Sequence, residues 1–341
     1  MYKNILIVKL SAIGDVIHAL PVSRALKQKY PQARITWAVE KPAYDLLTNN
    51  PDIDEIIIFD KQKFKSFGGL IANSYKLAKE LRNRQFDLAL DLQGLFKSAA
   101  ISYLSGARER FVYCDARELS DKISRRICGS HAQGHVVERY LDVARYVGCD
   151  VNHVIFPVHV TESEARKAEG IANHEGLQLE NPYVTLAPGT NWPSKCWPTG
   201  HFAQLADRLY EKNWIPVLIG APNDKRLAQE IIAGTTIPPI DLTGKTSLKQ
   251  LAYIIQKSKA FVGGDTGPMH LAAAMGTPIV ALFGPTDPRR NGPYGEKHKV
   301  LLAPVACQGC WQRTCSSEID CMEKIQPDLV YQSLQIGGAT S

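Results

Sequence analysis

The 341-residue chain has no long hydrophobic run. Its first apolar stretch, Ile5 to Val8, is too short for a signal-peptide core and far short of the roughly 20 residues that cross a bilayer. It reads as a buried first strand, and the chain is expected to stay in the cytoplasm. A strong excess of one charge is missing too. The net charge of +6 is too small to argue for nucleic acid, but it suits a protein that handles phosphorylated substrates or rests on an anionic surface. A GxGxxG fingerprint is absent after the first strand, which weighs against a nicotinamide dinucleotide enzyme. There is no short repeat and no low-complexity run. With 45% hydrophobic and 22% charged residues, the composition is that of a globular chain long enough for two domains.

Short apolar runs alternate with helical stretches. Strands are expected at 5–8, 34–39, 55–59 and 88–91, with helices at 15–30, 44–49, 74–84 and 95–105 between and after them. After a polar stretch at 161–180 the pattern restarts, with strands at 183–186, 216–219, 240–242, 260–263 and 278–283. Helices at 202–211, 224–233, 248–258 and 268–275 fall between them, and a last helix trails near 327–334. Such alternation predicts two α/β units with parallel sheets, divided near residue 160. Ligands in open α/β sheets sit at the carboxyl ends of strands, so chemistry is sought in those loops, in a cleft between the sheets.

Four loops stand out. After the first strand, Lys9-Leu-Ser11-Ala-Ile-Gly14-Asp15 puts an acid at a helix start. Asp15 reads either as a dipole-stabilised N-terminal acid or as a base that takes a proton from an attacking hydroxyl. In the second unit, Gly-Gly-Asp265-Thr266-Gly267-Pro268-Met-His270 reads as a strand–turn–helix. Asp265 or Thr266 would cap the helix, and its N–H groups and dipole would favour a pyrophosphate. The run Gly189-Thr190-Asn-Trp-Pro-Ser-Lys195-Cys-Trp197-Pro198 holds a lysine between two Trp-Pro pairs. Lys195 reads either as a held cationic hydrogen-bond donor to a phosphate or as a surface lysine with its stem on Trp197. Asp224, after the strand at 216–219, reads as a ribose acceptor or an N-cap. A small polar loop from Phe283 to Pro288 either lines the same pocket or turns the chain.

Taken together, Lys-Leu-Ser-Ala-Ile-Gly-Asp15, Asp91-Leu-Gln-Gly-Leu-Phe-Lys97-Ser, Trp-Pro-Ser-Lys195-Cys-Trp-Pro and Gly-Asp265-Thr-Gly-Pro-Met-His270-Leu-Ala-Ala-Ala resemble the lipopolysaccharide heptosyltransferases of glycosyltransferase family 9. The resemblance runs from about residue 3 to about residue 330, and the Gln-Gly-Leu-x-Lys97 run is more like the first heptosyltransferase of the pathway than the second.

The resemblance implies a GT-B fold, with two Rossmann-like doubly wound domains facing a central cleft. Residues 1–160 would bind the acceptor, 161–322 the nucleotide sugar, and 323–341 would form a helix and tail. It implies an inverting, metal-independent transfer of L-glycero-D-manno-heptose from ADP-heptose to the Kdo of a Kdo-lipid A acceptor. Asp15 would be the general base. Lys195, Thr266 and Gly267 would hold the pyrophosphate, with Thr190 nearby and Asp265 and His270 beside the sugar and phosphates. Asp224 would meet the ribose and Thr246 the adenine. The rival readings are a family 9 enzyme with another donor or acceptor, and a non-catalytic nucleotide-sugar binder of the same fold.

On the acceptor side, Lys61, Lys63 and Lys65 around Phe64 read as a solvated loop or, for an acidic glycolipid, as a binding loop. Ser11, Lys97 and Arg117 are further candidates, and Arg125 and Arg126 weaker ones. A monomer with transient contact to the cytoplasmic face of the inner membrane is expected. Eight cysteines are present, four of them in Cys307-x2-Cys310-x4-Cys315-x5-Cys321. In a cytoplasmic chain these fit a structural zinc, a disulfide or free thiols, and no cofactor is expected in catalysis.

Overall fold

A computed structural model of the chain describes residues 1–64, 67–315 and 320–335. The chain divides into two compact units, Met1–His159 and Val160–Ser341. The first unit holds strands β1 (Asn4–Val8), β2 (Arg34–Val39), β3 (Glu55–Ile58), β4 (Leu88–Asp91), β5 (Glu109–Tyr113) and β6 (Arg125–Ile127). They form one sheet in the order β3-β2-β1-β4-β5-β6, and every pairing is parallel. Residues Ile5–Val8 of β1 are fully buried, as a central strand covered on both faces must be. Helix Ile13–Lys29 follows β1 and buries Val16, Ile17 and Leu20; helix Val136–Tyr146 packs along it.

The second unit repeats the plan. Strands β7 (Tyr183–Ala187), β8 (Ile215–Leu218), β9 (Ile240–Asp241), β10 (Ala260–Gly264), β11 (Ile279–Phe283) and β12 (His298–Leu302) form a parallel sheet in the order β12-β11-β10-β7-β8-β9. Counted from its own first strand, this is the order of the first sheet. Val184, Leu186, Phe202, Val262 and Leu282 sit in its core. In each sheet the strand order reverses once, between β1 and β4 and between β7 and β10. There the flanking helices leave the sheet in opposite directions and open a crevice at the carboxyl ends. Both sheets have the doubly wound form of a GT-B glycosyltransferase.

The structure differs from the sequence pattern in several places. The polar stretch at 161–180 contains helix Glu162–His174, started by a reciprocal cap: the Glu164 N–H donates to Thr161 Oγ1 at 3.3 Å and the Thr161 N–H to Glu164 Oε2 at 2.8 Å. Strands β5, β6 and β12 had no counterpart in the apolar pattern. The last helix, Pro327–Gln335, falls at the expected place and packs into the second unit. Val330 and Leu334 lie in its core, and Trp197 Nε1 donates to the Ile325 carbonyl at 2.8 Å. Among the described residues no helix is long and apolar enough to cross a membrane.

Candidate functional site

In the first unit the reversal point carries the loop after β1. Ala12 is the N-cap of helix Ile13–Lys29 and has no side chain to accept a helix N–H. Asp15, the third helical residue, closes that end instead: its Oδ2 accepts the Ala12 N–H at 3.2 Å. The half-buried carboxylate therefore serves the helix terminus while part of it stays open to solvent. Gly14 lies in the helix's first turn and makes no left-handed turn.

Sequence reasoning missed the groups that frame this loop. Gln93 Oε1 accepts the N–H of Leu10 and of Ser11 at 3.1 and 3.2 Å, stitching the β1 loop to the β4 loop. Lys9 is buried and donates to the Leu92 carbonyl at 3.1 Å and to Tyr140 Oη at 2.7 Å. Asp91, at the end of β4, accepts from the Gln93 and Gly94 N–H groups and from Ser98 Oγ. Burial pushes its carboxyl up to about 6 against those bonds. Gln93 stood inside a run the sequence had singled out; Tyr140 carried no local signal.

Lys61 and Lys97 converge. Lys97 Nζ lies 2.7 Å from Glu40 Oε1 and Lys61 Nζ 3.6 Å from Glu40 Oε2, with Glu40 buried at the end of β2. Lys63 is exposed on the short turn Lys61–Phe64, and Lys65 lies outside the described residues. Arg117 is exposed; its N–H donates to the Gly94 carbonyl at 2.8 Å. Gly94 has φ +66°, and a Cβ there would come within 3.2 Å of Ala116 Cα, so the turn needs glycine. Arg125 and Arg126 are strand residues of β6. Arg125 lies over the Tyr146 ring and Arg126 pairs with Asp121 at 2.7 Å.

In the second unit the reversal point gathers the phosphate candidates. Lys195 Nζ is 2.6 Å from Asp265 Oδ2, and it sits 4.4 Å from the centroid of the Trp192 ring rather than on Trp197. His270 Nε2 is 3.3 Å from Asp265 Oδ1. Burial would raise the Asp265 carboxyl, but the bonds and charges of His270 and Lys195 outweigh it and hold it near about 2. Neither expected cap forms. The Asp265 side chain is taken by Lys195 and His270, and Thr266 Oγ1 turns back to the Gly264 carbonyl at 3.2 Å. Helix Gly267–Ala274 thus starts at Thr266 without a side-chain cap hydrogen bond, the arrangement that suits an anion. Gly264 permits the approach of the Lys195 loop, because a Cβ there would stand 3.1 Å from the Lys195 carbonyl.

Thr190 braces its own loop, with Oγ1 2.5 Å from the Trp192 carbonyl and 3.2 Å from Cys196 Sγ. Asp224 accepts the Ala221 N–H at 2.7 Å, and its carboxylate is wedged against two glycines: a Cβ on Gly189 would fall 2.1 Å from its Cγ, and one on Gly220 2.7 Å from its Oδ2. The half-buried Thr246 follows Gly244, whose N–H donates to the Gly220 carbonyl at 2.9 Å; the two loops are tied together. Asp287 caps the short helix Pro288–Asn291.

The zinc expectation does not stand. Cys307, Cys310 and Cys315 are exposed while Cys321 is buried against Gly284, and among the described residues no three His, Cys, Asp or Glu side chains gather as a ligand set. The segment instead lies along the loops of the site. Ser194 donates to the Arg313 and Gln312 carbonyls, and the Trp311 N–H to that of Pro285.

Comparison with known proteins bears on this arrangement. The chain is 31% identical to lipopolysaccharide heptosyltransferase 2 of Escherichia coli K12, over 87% of each chain. It is 27% identical to the lipopolysaccharide core heptosyltransferase OpsX of Haemophilus influenzae, over 88% of this chain and 84% of that one. The solved structure of E. coli ADP-heptose LPS heptosyltransferase II superposes with a TM-score of 0.80 at 28% identity, over 98% of both chains. Residues 74–319 match glycosyltransferase family 9 (heptosyltransferase), and the chain belongs to that family of glycosyltransferases.

Proposed function

We propose that the chain transfers L-glycero-D-manno-heptose from ADP-heptose to the Kdo of a lipopolysaccharide inner-core, lipid A-linked acceptor, with inversion and without a catalytic metal. The observation that carries this reading is the Lys195–Asp265–His270 cluster beside the uncapped start of helix Gly267–Ala274, at the reversal point of the second sheet. The names of the relatives, heptosyltransferases of the lipopolysaccharide core, support the sugar and the acceptor class.

In this mechanism the second unit binds the donor. Helix N–H groups and Lys195 receive the diphosphate, with Thr266, Gly267 and Thr190 around it and His270 and Asp265 beside the phosphates and sugar. Asp224 meets the ribose and Thr246 the adenine. The first unit binds the acceptor through Ser11, Lys61, Lys63, Lys65, Lys97 and Arg117. Asp15 takes the proton of the acceptor hydroxyl as that oxygen attacks the anomeric carbon. The bond from that carbon to the diphosphate breaks, and negative charge grows on the departing oxygen. Lys195 and the helix N-terminus stabilise it, the work that preorganised donors do well in a site poor in water. The enzyme acts as a monomer in transient contact with the cytoplasmic membrane surface.

A donor screen tests the reading: ADP-heptose against other nucleotide sugars, with an authentic Kdo-lipid acceptor, with and without EDTA. Turnover with ADP-heptose alone, unaffected by chelation, is expected. Turnover with a different sugar would reassign the donor, and binding without turnover would make the chain a nucleotide-sugar binder.

A further inference from the structure

Two cysteines outside the transfer machinery are placed together by strand register. β5 and β6 are parallel neighbours, with Tyr113 opposite Ile127. The residues that immediately follow the two strands are Cys114 and Cys128. Parallel neighbours lie about 4.8 Å apart, inside the window of Cα separations that a disulfide spans. The neighbouring Cys128 thiol adds to burial in raising the Cys114 thiol. Cys128 is exposed and Cys114 half-buried.

Both strand ends are fastened to one buried carboxylate. Tyr113 Oη, one residue before Cys114, donates to Asp142 Oδ2 at 3.1 Å. The His131 N–H, just after Cys128, donates to the same oxygen at 3.0 Å, and a Cβ on Gly129 would fall 2.1 Å from Asp142 Cγ. Asp142 is held in turn by Arg145 at 3.0 Å. The thiols therefore start close together on anchored backbone, and closing the pair requires little loss of chain freedom.

We propose that Cys114 and Cys128 are a dithiol modification site that a small-molecule disulfide converts to an internal disulfide. The Cys128 thiolate attacks one sulfur of the oxidant RSSR. A Cys128 S–S bond forms, the RS–SR bond breaks, and the departing thiolate takes up a proton. Cys114 then loses its proton to solvent, and its sulfur attacks Cys128 Sγ and expels the second RS⁻, which is protonated. The two protein thiols are oxidised by two electrons and the oxidant is reduced to two RSH. Burial and the neighbouring Cys128 thiol push the Cys114 thiol up to about 11, so the exposed partner reacts first. The second attack is intramolecular. The site stands whether or not the transferase reading does.

The test uses the full-length reduced protein incubated with oxidised glutathione, quenched in acid, alkylated and digested with trypsin. Residues 111–117 and 127–139 fall in separate tryptic peptides, each with one cysteine. The expected product is those two peptides joined, lighter by two hydrogens than their sum. Cys114→Ser should instead trap glutathione on Cys128. Either of two results would overturn the proposal: Cys128 carrying glutathione beside an alkylated Cys114 in the unmodified sequence, or both cysteines alkylated while the exposed Cys307, Cys310 and Cys315 have been oxidised.

Discussion

Replacing Lys195 by methionine should weaken ADP binding in two ways. The variant removes a cation from the proposed diphosphate site. It also leaves Asp265, buried beside His270, without the lysine that helps hold its carboxyl down to about 2, so that a less well-matched carboxylate then faces the incoming phosphates. A hydrogen bond to a charged group contributes about 1.5–3 kcal/mol, a loss of roughly 10- to 150-fold in affinity. The less well-matched carboxylate adds to that. The two parts separate in a cycle of Lys195→Met, Asp265→Asn and the double variant, titrated with ADP by calorimetry. The double variant should bind ADP more tightly than Lys195→Met alone, because the repelling charge is gone. Turnover should fall further than affinity, since charge on the leaving oxygen is greatest in the transition state. Unchanged ADP affinity in Lys195→Met would refute the diphosphate assignment. Equal affinity in Lys195→Met and the double variant would refute the role given to Asp265.

Asp15→Asn keeps an oxygen for the Ala12 N–H, so melting temperature and ADP affinity should hold while transfer falls by at least about a hundredfold, the lower end of what a general base contributes; normal turnover would end the base assignment. Gly189→Ala places a Cβ on the Asp224 carboxylate and should raise the donor KM more than it lowers kcat, whereas Gly200→Ala, with no atom within 4 Å of its Cβ, should leave both alone. Asp91 gives a pH signature. Its folded value, about 6, lies above that of an unfolded aspartate, so the fold binds the extra proton and Asp91's contribution to stability rises as pH falls from about 6 towards 4. The difference is at most about 3 kcal/mol, and urea denaturation of Asp91→Asn at pH 4.5 and pH 7 should lack it. Asp265 runs the other way, its contribution being lost only as pH falls through about 4 towards 2.

The alternation of strands and helices was legible because central parallel strands are apolar on both faces: β1, β7 and β10 announce themselves as short apolar runs. β5 and β6 did not. Glu109, Arg110, Arg125 and Arg126 occupy strands at the margin of the sheet, where one side is wet and no alternation survives in so few residues. Helix Glu162–His174 had a readable Thr-x-x-Glu start, but its thin apolar face hid it. The glycine-rich loop of the second unit was legible as a strand–turn–helix from composition. Which side chains would cap it was not, because Asp265 had a stronger partner about 70 residues away in sequence, at Lys195. The same holds for Glu40, which draws Lys61 and Lys97 together from separate loops. Such pairings are set by which loops meet at a strand end, and periodicity carries no record of that.

Glu40 and Asp265 share a consequence. Each carboxylate pairs with the lysines that the proposed reading gives to an anion, so on that reading binding would exchange one negative partner for another. A lone inorganic phosphate gains little from such an exchange. A ligand that brings further groups to the neighbouring loops would recover the difference, so the proposed reading expects large anionic substrates to be preferred over small anions.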